Sequence, residues 1–111
     1  MPEDKLKLIK GGLLIDGRGT NPIDKGAVLI KNDTIIDIGL PESIAPSDKK
    51  SFEIFDFSDK TILPGLIDCH VHLNGFGDGR TGDDLSLLPD EILTLQATRN
   101  ARDSLLSGVT T

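Results

Sequence analysis

Up to Gly39 the apolar positions come in short runs broken by turn residues, which predicts strands over residues 5–9, 13–15, 27–31 and 34–38. Gly11-Gly12, Asp16-Gly17-Arg18-Gly19, Asn21-Pro22 and Asn32-Asp33 punctuate them, and Asn32-Asp33 suits a tight hairpin. Together they predict a small antiparallel β unit. Residues 40–50 read as a polar connection, residues 52–57 as a returning strand and Ser58-Asp59-Lys60 as another turn.

The pattern changes at Thr61. Residues 61–67 are apolar with little alternation, as in a strand buried on both faces of a parallel sheet. A glycine-rich loop over residues 74–84 leads to a predicted helix over residues 89–107. Pro89 suits its first turn, Asp90 and Glu91 favour the positive end of the dipole, and Leu93, Ala97, Ala101 and Leu105 form an i, i+4 row. Gly108 is a natural stop, and Val109-Thr110-Thr111 has the composition of a second strand beginning. One strand, one helix and the start of another strand cannot close a parallel sheet. The chain therefore reads as the front part of something longer, with apolar surface exposed on the strand and the helix.

Composition narrows the function. In 111 residues, 37% hydrophobic, there is room for about one small domain. With 18 acidic against 12 basic residues the net charge is −6, which disfavours nucleic acid and anionic membranes as partners. No apolar run approaches the roughly 20 residues that span a bilayer. The single Cys69 excludes an internal disulfide framework, and the N-terminus lacks a secretory pattern, so a cytoplasmic location is expected. Cys69 itself reads as a small buried hydrophobe.

The candidate chemistry lies in Leu66-Ile67-Asp68-Cys69-His70-Val71-His72-Leu73, which holds both histidines of the chain. On a strand, His70 and His72 share a face with Cα atoms about 6.5 to 7 Å apart, so both imidazoles can reach one divalent metal ion. Asp68 shares that face and can reach the ion or brace a histidine from behind, whereas Cys69 and Val71 point the opposite way. A catalytic zinc takes three protein ligands plus water, so the remaining ligands must come from elsewhere.

Gly77-Asp78-Gly79-Arg80-Thr81-Gly82 spells a G-x-G-x-x-G with Asp103 about twenty residues on, the form of a dinucleotide loop. Three features oppose that reading. The loop begins several residues after the strand, its third glycine is not expected to open the helix, and Asp78, Asp83 and Asp84 would repel a pyrophosphate. A mobile loop over a site is the better expectation. Nor do the aspartates match an EF-hand spacing.

Leu13-Leu14-Ile15-Asp16-Gly17, the hairpin ending in Ile36-Asp37-Ile38-Gly39, and above all residues 63–73 with their Pro-Gly-x-Ile-Asp-x-His-x-His core resemble the N-terminal part of the amidohydrolase superfamily. The closest likeness is to its imidazolonepropionase-like and prolidase-like members. It spans nearly the whole chain, and Gly108-Val109-Thr110-Thr111 resembles the family's second barrel strand. The resemblance implies an α/β plus β fold: residues 1–60 as a segment of a small composite β-sandwich, and residues 61–111 as the first βα unit of a (β/α)8 TIM barrel. It implies that His70 and His72 bind a divalent metal, usually zinc, one or two ions in the complete enzyme. The metal would activate a water for hydrolysis of a C–N bond. The later ligands and the proton-handling aspartate of that family lie beyond these residues, so no catalytic residue is assigned within this chain. A barrel of this type needs about 250 residues, and the chain alone is expected to be inactive.

Two functions follow. The first is the N-terminal portion of a metal-dependent amidohydrolase acting on a small amide, dipeptide-like or cyclic amide substrate, completed by the rest of the barrel or by a partner chain. The second is a small binding or assembly module with a relic or intersubunit metal site, its exposed faces buried by self-association into a homo-oligomer. Asn74 and Arg80 follow the metal strand and are candidates for the substrate loop, Arg80 for a substrate carboxylate, against the plainer reading of Arg80 as a solvated loop charge.

Overall fold

The computed structural model describes residues 5–48 and 52–111. Its contacts divide the chain into two compact units, Met1–Pro64 and Gly65–Thr111.

The first unit is built on β1 (Leu6–Leu14). Along one edge β1 pairs antiparallel with β3 (Ala27–Lys31) and, further on, with β2 (Ile23–Asp24); β3 in turn pairs antiparallel with β4 (Thr34–Gly39). Asn32-Asp33 makes the expected tight link, with Lys31 opposite Thr34 and Asn32 in the left-handed region at φ 57°. Along its other edge β1 pairs in parallel with β5 (Phe52–Ile62). The sheet is therefore mixed, not antiparallel as the turn signals predict. A parallel return needs a crossover of about a dozen residues, and the stretch between Gly39 and Phe52 is long enough to provide one.

Two predicted turns are absorbed into strands. β1 runs straight through Gly11-Gly12, and β5 runs through Ser58-Asp59-Lys60 to take in Thr61 and Ile62. The register explains both. Gly11 faces Phe57 and Leu13 faces Thr61, so the three polar residues bulge opposite Gly12 alone. Asp56 holds the bulge, accepting from the Ser58 backbone N–H at 3.0 Å, from the Ser58 hydroxyl and from the Lys10 ammonium at 2.9 Å. A second unpredicted element, α1 (Pro41–Ile44), starts with a proline suited to a first helical turn. Ile44, Ala45 and Phe52 pack against the buried cluster Leu8, Ala27 and Leu29, and this is the core of the unit. Ile35, Ile36, Ile54 and Phe57 remain exposed. The strands of the first unit thus form one five-stranded sheet.

The second unit contains α2 (Gly82–Ser86) and α3 (Asp90–Leu106). The long helix falls within a residue of its predicted limits, with Pro89 as its N-cap and Asp90 and Glu91 in the first turn. It ends in a Schellman turn. The Val109 N–H donates to the Ser104 carbonyl at 3.0 Å and the Gly108 N–H to that of Leu105 at 3.1 Å, with Gly108 at φ 102°. The face of α3 turned inward carries Leu93, Gln96, Ala97, Asn100 and Ser104, all half-buried, so the predicted row through Ala101 and Leu105 is displaced: both are exposed.

The predicted strand over residues 61–67 is not seen as such. Its first two residues belong to β5, and the rest is extended chain with a single parallel bridge, Leu66 to Val109. Leu63, Leu66 and Ile67 are more than half exposed, the opposite of burial on both faces, because the chain is paired on one side only. Apolar residues are exposed on this segment and on α3, where Leu95, Leu105 and Leu106 are each over 60% exposed, as the sequence predicts for the strand and the helix. Among the described residues no helix is long and apolar enough to cross a membrane.

Candidate metal centre

The Schellman turn returns the chain alongside residues 66–68. Leu66 donates to the Gly108 carbonyl at 2.8 Å and accepts from Thr110 at 2.9 Å, and Asp68 donates to Thr111 at 2.8 Å. These bonds pin the start of the histidine segment to the end of α3. Beyond Asp68 the backbone leaves regular structure, yet the two imidazoles still converge: His70 Nε2 and His72 Nε2 stand 2.8 Å apart, ring centroids 4.9 Å apart and planes at 37°.

That spacing is a test of whether the pair suits a metal. Two nitrogens about 2.0–2.1 Å from one ion lie about 2.9 Å apart at a right angle and about 3.4 Å apart at the tetrahedral angle. At 2.8 Å, a hydrogen-bonding distance between the two rings, the pair is close to the first value and about 0.6 Å short of the second, a gap that rotation of two exposed rings can close. The donor set is right for zinc and incomplete: among the described residues no group of three or more His, Cys, Asp or Glu side chains is placed to hold an ion.

The Asp68 carboxylate meets the backbone of the first histidine. Its Oδ1 accepts from the backbone N–H of His70 at 3.1 Å, which fixes the turn into the first histidine. Cys69 is exposed, not the small buried hydrophobe predicted, because this irregular segment has a neighbour on one side only.

After His72 the chain turns tightly, the Gly75 N–H donating back to the His72 carbonyl at 3.2 Å. Asn74 sits exposed in this turn. Asn100, in the middle of α3, secures it: its Nδ2 donates to the carbonyls of Leu73 and Gly75, each at 2.6 Å, and its Oδ1 accepts from Gln96 Nε2 at 2.9 Å. An open hollow of about 350 Å³ lies here, between His72, Phe76, Gly77, Asn100 and Asp103. Sequence reasoning missed both amides. The available signal was their i, i+4 spacing on the same stripe as Leu93 and Ala97.

Arg80 is bound within its own loop. Its Nε meets Asp78 Oδ2 at 3.0 Å, its backbone N–H reaches Asp78 Oδ1 at 3.2 Å, and its guanidinium lies 4.9 Å from the Phe76 ring centroid. Gly82 does not open the long helix, as expected, but it does open a short one that the sequence did not suggest. That helix is α2, whose N-terminus is closed by a capping box: Thr81 accepts from the Asp84 N–H, and the Asp84 carboxylate accepts from the Thr81 N–H at 2.9 Å. The Thr81 backbone N–H and hydroxyl hold the Asp84 carboxyl below its ordinary range. The Asp84 carboxylate thus caps the end of α2 where a dinucleotide loop would offer free backbone N–H groups to a pyrophosphate.

No family model matches the chain. Among curated proteins it is 37% identical over 101 residues to the 5'-deoxyadenosine deaminase of Methanobrevibacter smithii, covering 85% of this chain and 21% of that protein. It is 38% identical over 58 residues to the imidazolonepropionase of Brucella anthropi, covering 52% of this chain and 14% of that protein. The chain thus spans about a fifth or less of these relatives. Among solved structures it is similar to A. niger ochratoxinase, with a TM-score of 0.82 and 27% identity over 97% of this chain and 25% of that one. A Xaa-Pro dipeptidase with methionine bound in its active site follows, with a TM-score of 0.73 and 27% identity over 96% of this chain and 25% of that one.

Proposed function

We propose, from the premise that the chain belongs to the amidohydrolase superfamily and matches its N-terminal region, that it supplies the first half of a metal site in a hydrolase of C–N bonds. The observation that carries the proposal is the 2.8 Å convergence of His70 Nε2 and His72 Nε2. The two rings would hold a divalent ion, zinc by donor type, and Asp68 would keep His70 in place through its backbone. When bound, such an ion lowers the pKa of a water and polarises a carbonyl.

Support for the bond class comes from the names of the relatives, since a deaminase and a dipeptidase both cleave carbon–nitrogen bonds. In this reading residues 1–60 contribute to a composite β-sandwich and residues 61–111 begin a (β/α)8 barrel, with the bridge between Leu66 and Val109 as the first contact between its first two strands. The missing ligands come from the rest of the polypeptide or from a partner chain in a homo-oligomer. The substrate is a small amide, dipeptide or cyclic amide, met by Asn74 and Arg80 at the mouth of the site, in the cytoplasm. Arg80 is already neutralised by Asp78, so a substrate carboxylate would have to compete for it.

The experiment is a screen of amides, dipeptides and cyclic ureas with the complete polypeptide, before and after chelation and after zinc is restored. Hydrolysis that disappears with the metal and returns with zinc supports the proposal. Hydrolysis indifferent to chelation overturns the metal, and metal bound at one ion per two chains would move the account to the intersubunit site.

A further inference from the structure

We propose that Asn100 is a positioning residue for the histidine pair, acting through the turn that follows His72; the proposal rests on His70 and His72 being metal ligands. Each of its two amide hydrogens is committed to one backbone carbonyl, Leu73 and Gly75, two residues apart on the same turn. Its oxygen is committed to Gln96, one helical turn earlier, which fixes which end of the amide faces the loop. All three polar functions of a half-buried side chain are used. The Gly75 N–H then closes the turn onto the His72 carbonyl, so the chain leaving His72 has one bond to its own backbone and two to α3.

The other end of the segment is held by the bonds of Leu66 and Asp68 to residues 108–111, which follow the same helix. α3 therefore grips the histidines from both sides: its Schellman end before them and its middle after them. Between those grips, among the described residues, the Asp68 carboxylate restrains the backbone through the His70 N–H. Asn is a poor choice for a helix interior on propensity alone, which fits a role paid in contacts instead of helix stability. Asp at this position has the same shape and no amide hydrogens, and would set a carboxylate against two carbonyl oxygens.

The test compares Asn100→Asp, Gln96→Leu and His72→Ala in the complete polypeptide, reading zinc affinity by chelator competition and the visible spectrum of the cobalt-substituted protein. Loss of a partner that orients metal ligands weakens metal binding by about 10- to 100-fold. Asn100→Asp is expected to show that loss together with an altered cobalt spectrum, which reports ligand geometry and would not move for a change in folding stability alone. Gln96→Leu keeps both donors but frees the amide to turn, and should show a smaller change in the same direction; it decides the matter if Asn100→Asp does not fold. Wild-type affinity and spectrum in the folded variants, with zinc lost in His72→Ala, would overturn the positioning role and leave the metal pair standing. Zinc retained undiminished by His72→Ala would overturn the metal pair itself.

Discussion

Thr110 occupies the space that a side chain at Gly65 would need: a Cβ built on Gly65 would overlap the Oγ1, Cγ2 and Cβ of Thr110. The bare glycine lets the chain before the histidines lie against the segment that follows α3, which is where Leu66 makes its two backbone bonds with Gly108 and Thr110. Gly65 and Thr110 are thus partners in seating the metal segment, although neither carries chemistry.

Replacing Gly65 by Val should destabilise the second unit by about 1–3 kcal/mol, the usual cost of forcing extra atoms into a filled space. Thr110→Ala, which removes two of the three overlapping atoms, should recover part of that loss in the double variant. Denaturant titration of the four proteins of the cycle measures the coupling, and strictly additive effects would mean that the two residues do not meet.

The end of α3 gives a second prediction. Gly108 at φ 102° is outside the range that L side chains adopt readily, so Gly108→Ala should cost about 1–2 kcal/mol. Gly19, at φ 78° with open space around it, lies in a loop that closes no helix. Gly108→Ala should loosen the Val109 and Thr110 amides in hydrogen exchange, whereas Gly19→Ala should leave them unchanged.

Acid sensitivity should centre on the bulge of β5. The Ser58 hydroxyl, then the Lys10 ammonium and the Ser58 backbone N–H, hold the Asp56 carboxyl down to about 2. Because the folded value lies below the unfolded one of about 3.9, the contribution is complete above about pH 4 and is lost as pH falls through about 2. Asp56 is half exposed, so the effect is a modest, salt-screened one. Asp56→Asn should lower the denaturant midpoint at pH 6 and flatten its decline between pH 4 and pH 2; parallel declines in the two proteins would contradict the assignment.

What could be read in the sequence was what is local. The hairpin at Asn32-Asp33, the limits of α3 and the stop at Gly108 each follow from residues within a few positions of one another, and each is found in place. Ser58-Asp59-Lys60 carries the same turn chemistry, yet it became a bulge because β1 continues as its partner as far as Leu14, and pairing between residues nearly fifty positions apart is not written in a turn signal. Residues 61–67 have the composition of a buried strand but lack the neighbours that would bury them.

The candidate site divides the same way. A spacing of two brought His70 and His72 into view, and their nitrogens do converge. Asn100 lies some thirty residues away, and its two contacts with the histidine segment are to the backbone carbonyls of Leu73 and Gly75; its spacing from Gln96 marks an amide pair on α3 but not where those carbonyls lie. Asp68, read as a ligand or a brace for a histidine, accepts from the His70 backbone N–H, a contact that the strict alternation of a regular strand does not suggest.

The central claim is that His70 and His72 are metal ligands, and native mass spectrometry with elemental analysis of the complete polypeptide tests it most directly. Wild type and Cys69→Ser should carry the same one or two zinc ions per chain, while His70→Ala and His72→Ala should each lose metal and activity with it. Metal and activity retained in both histidine variants would contradict the account, and metal lost from Cys69→Ser would mean that the exposed thiol, not the histidine pair alone, faces the ion.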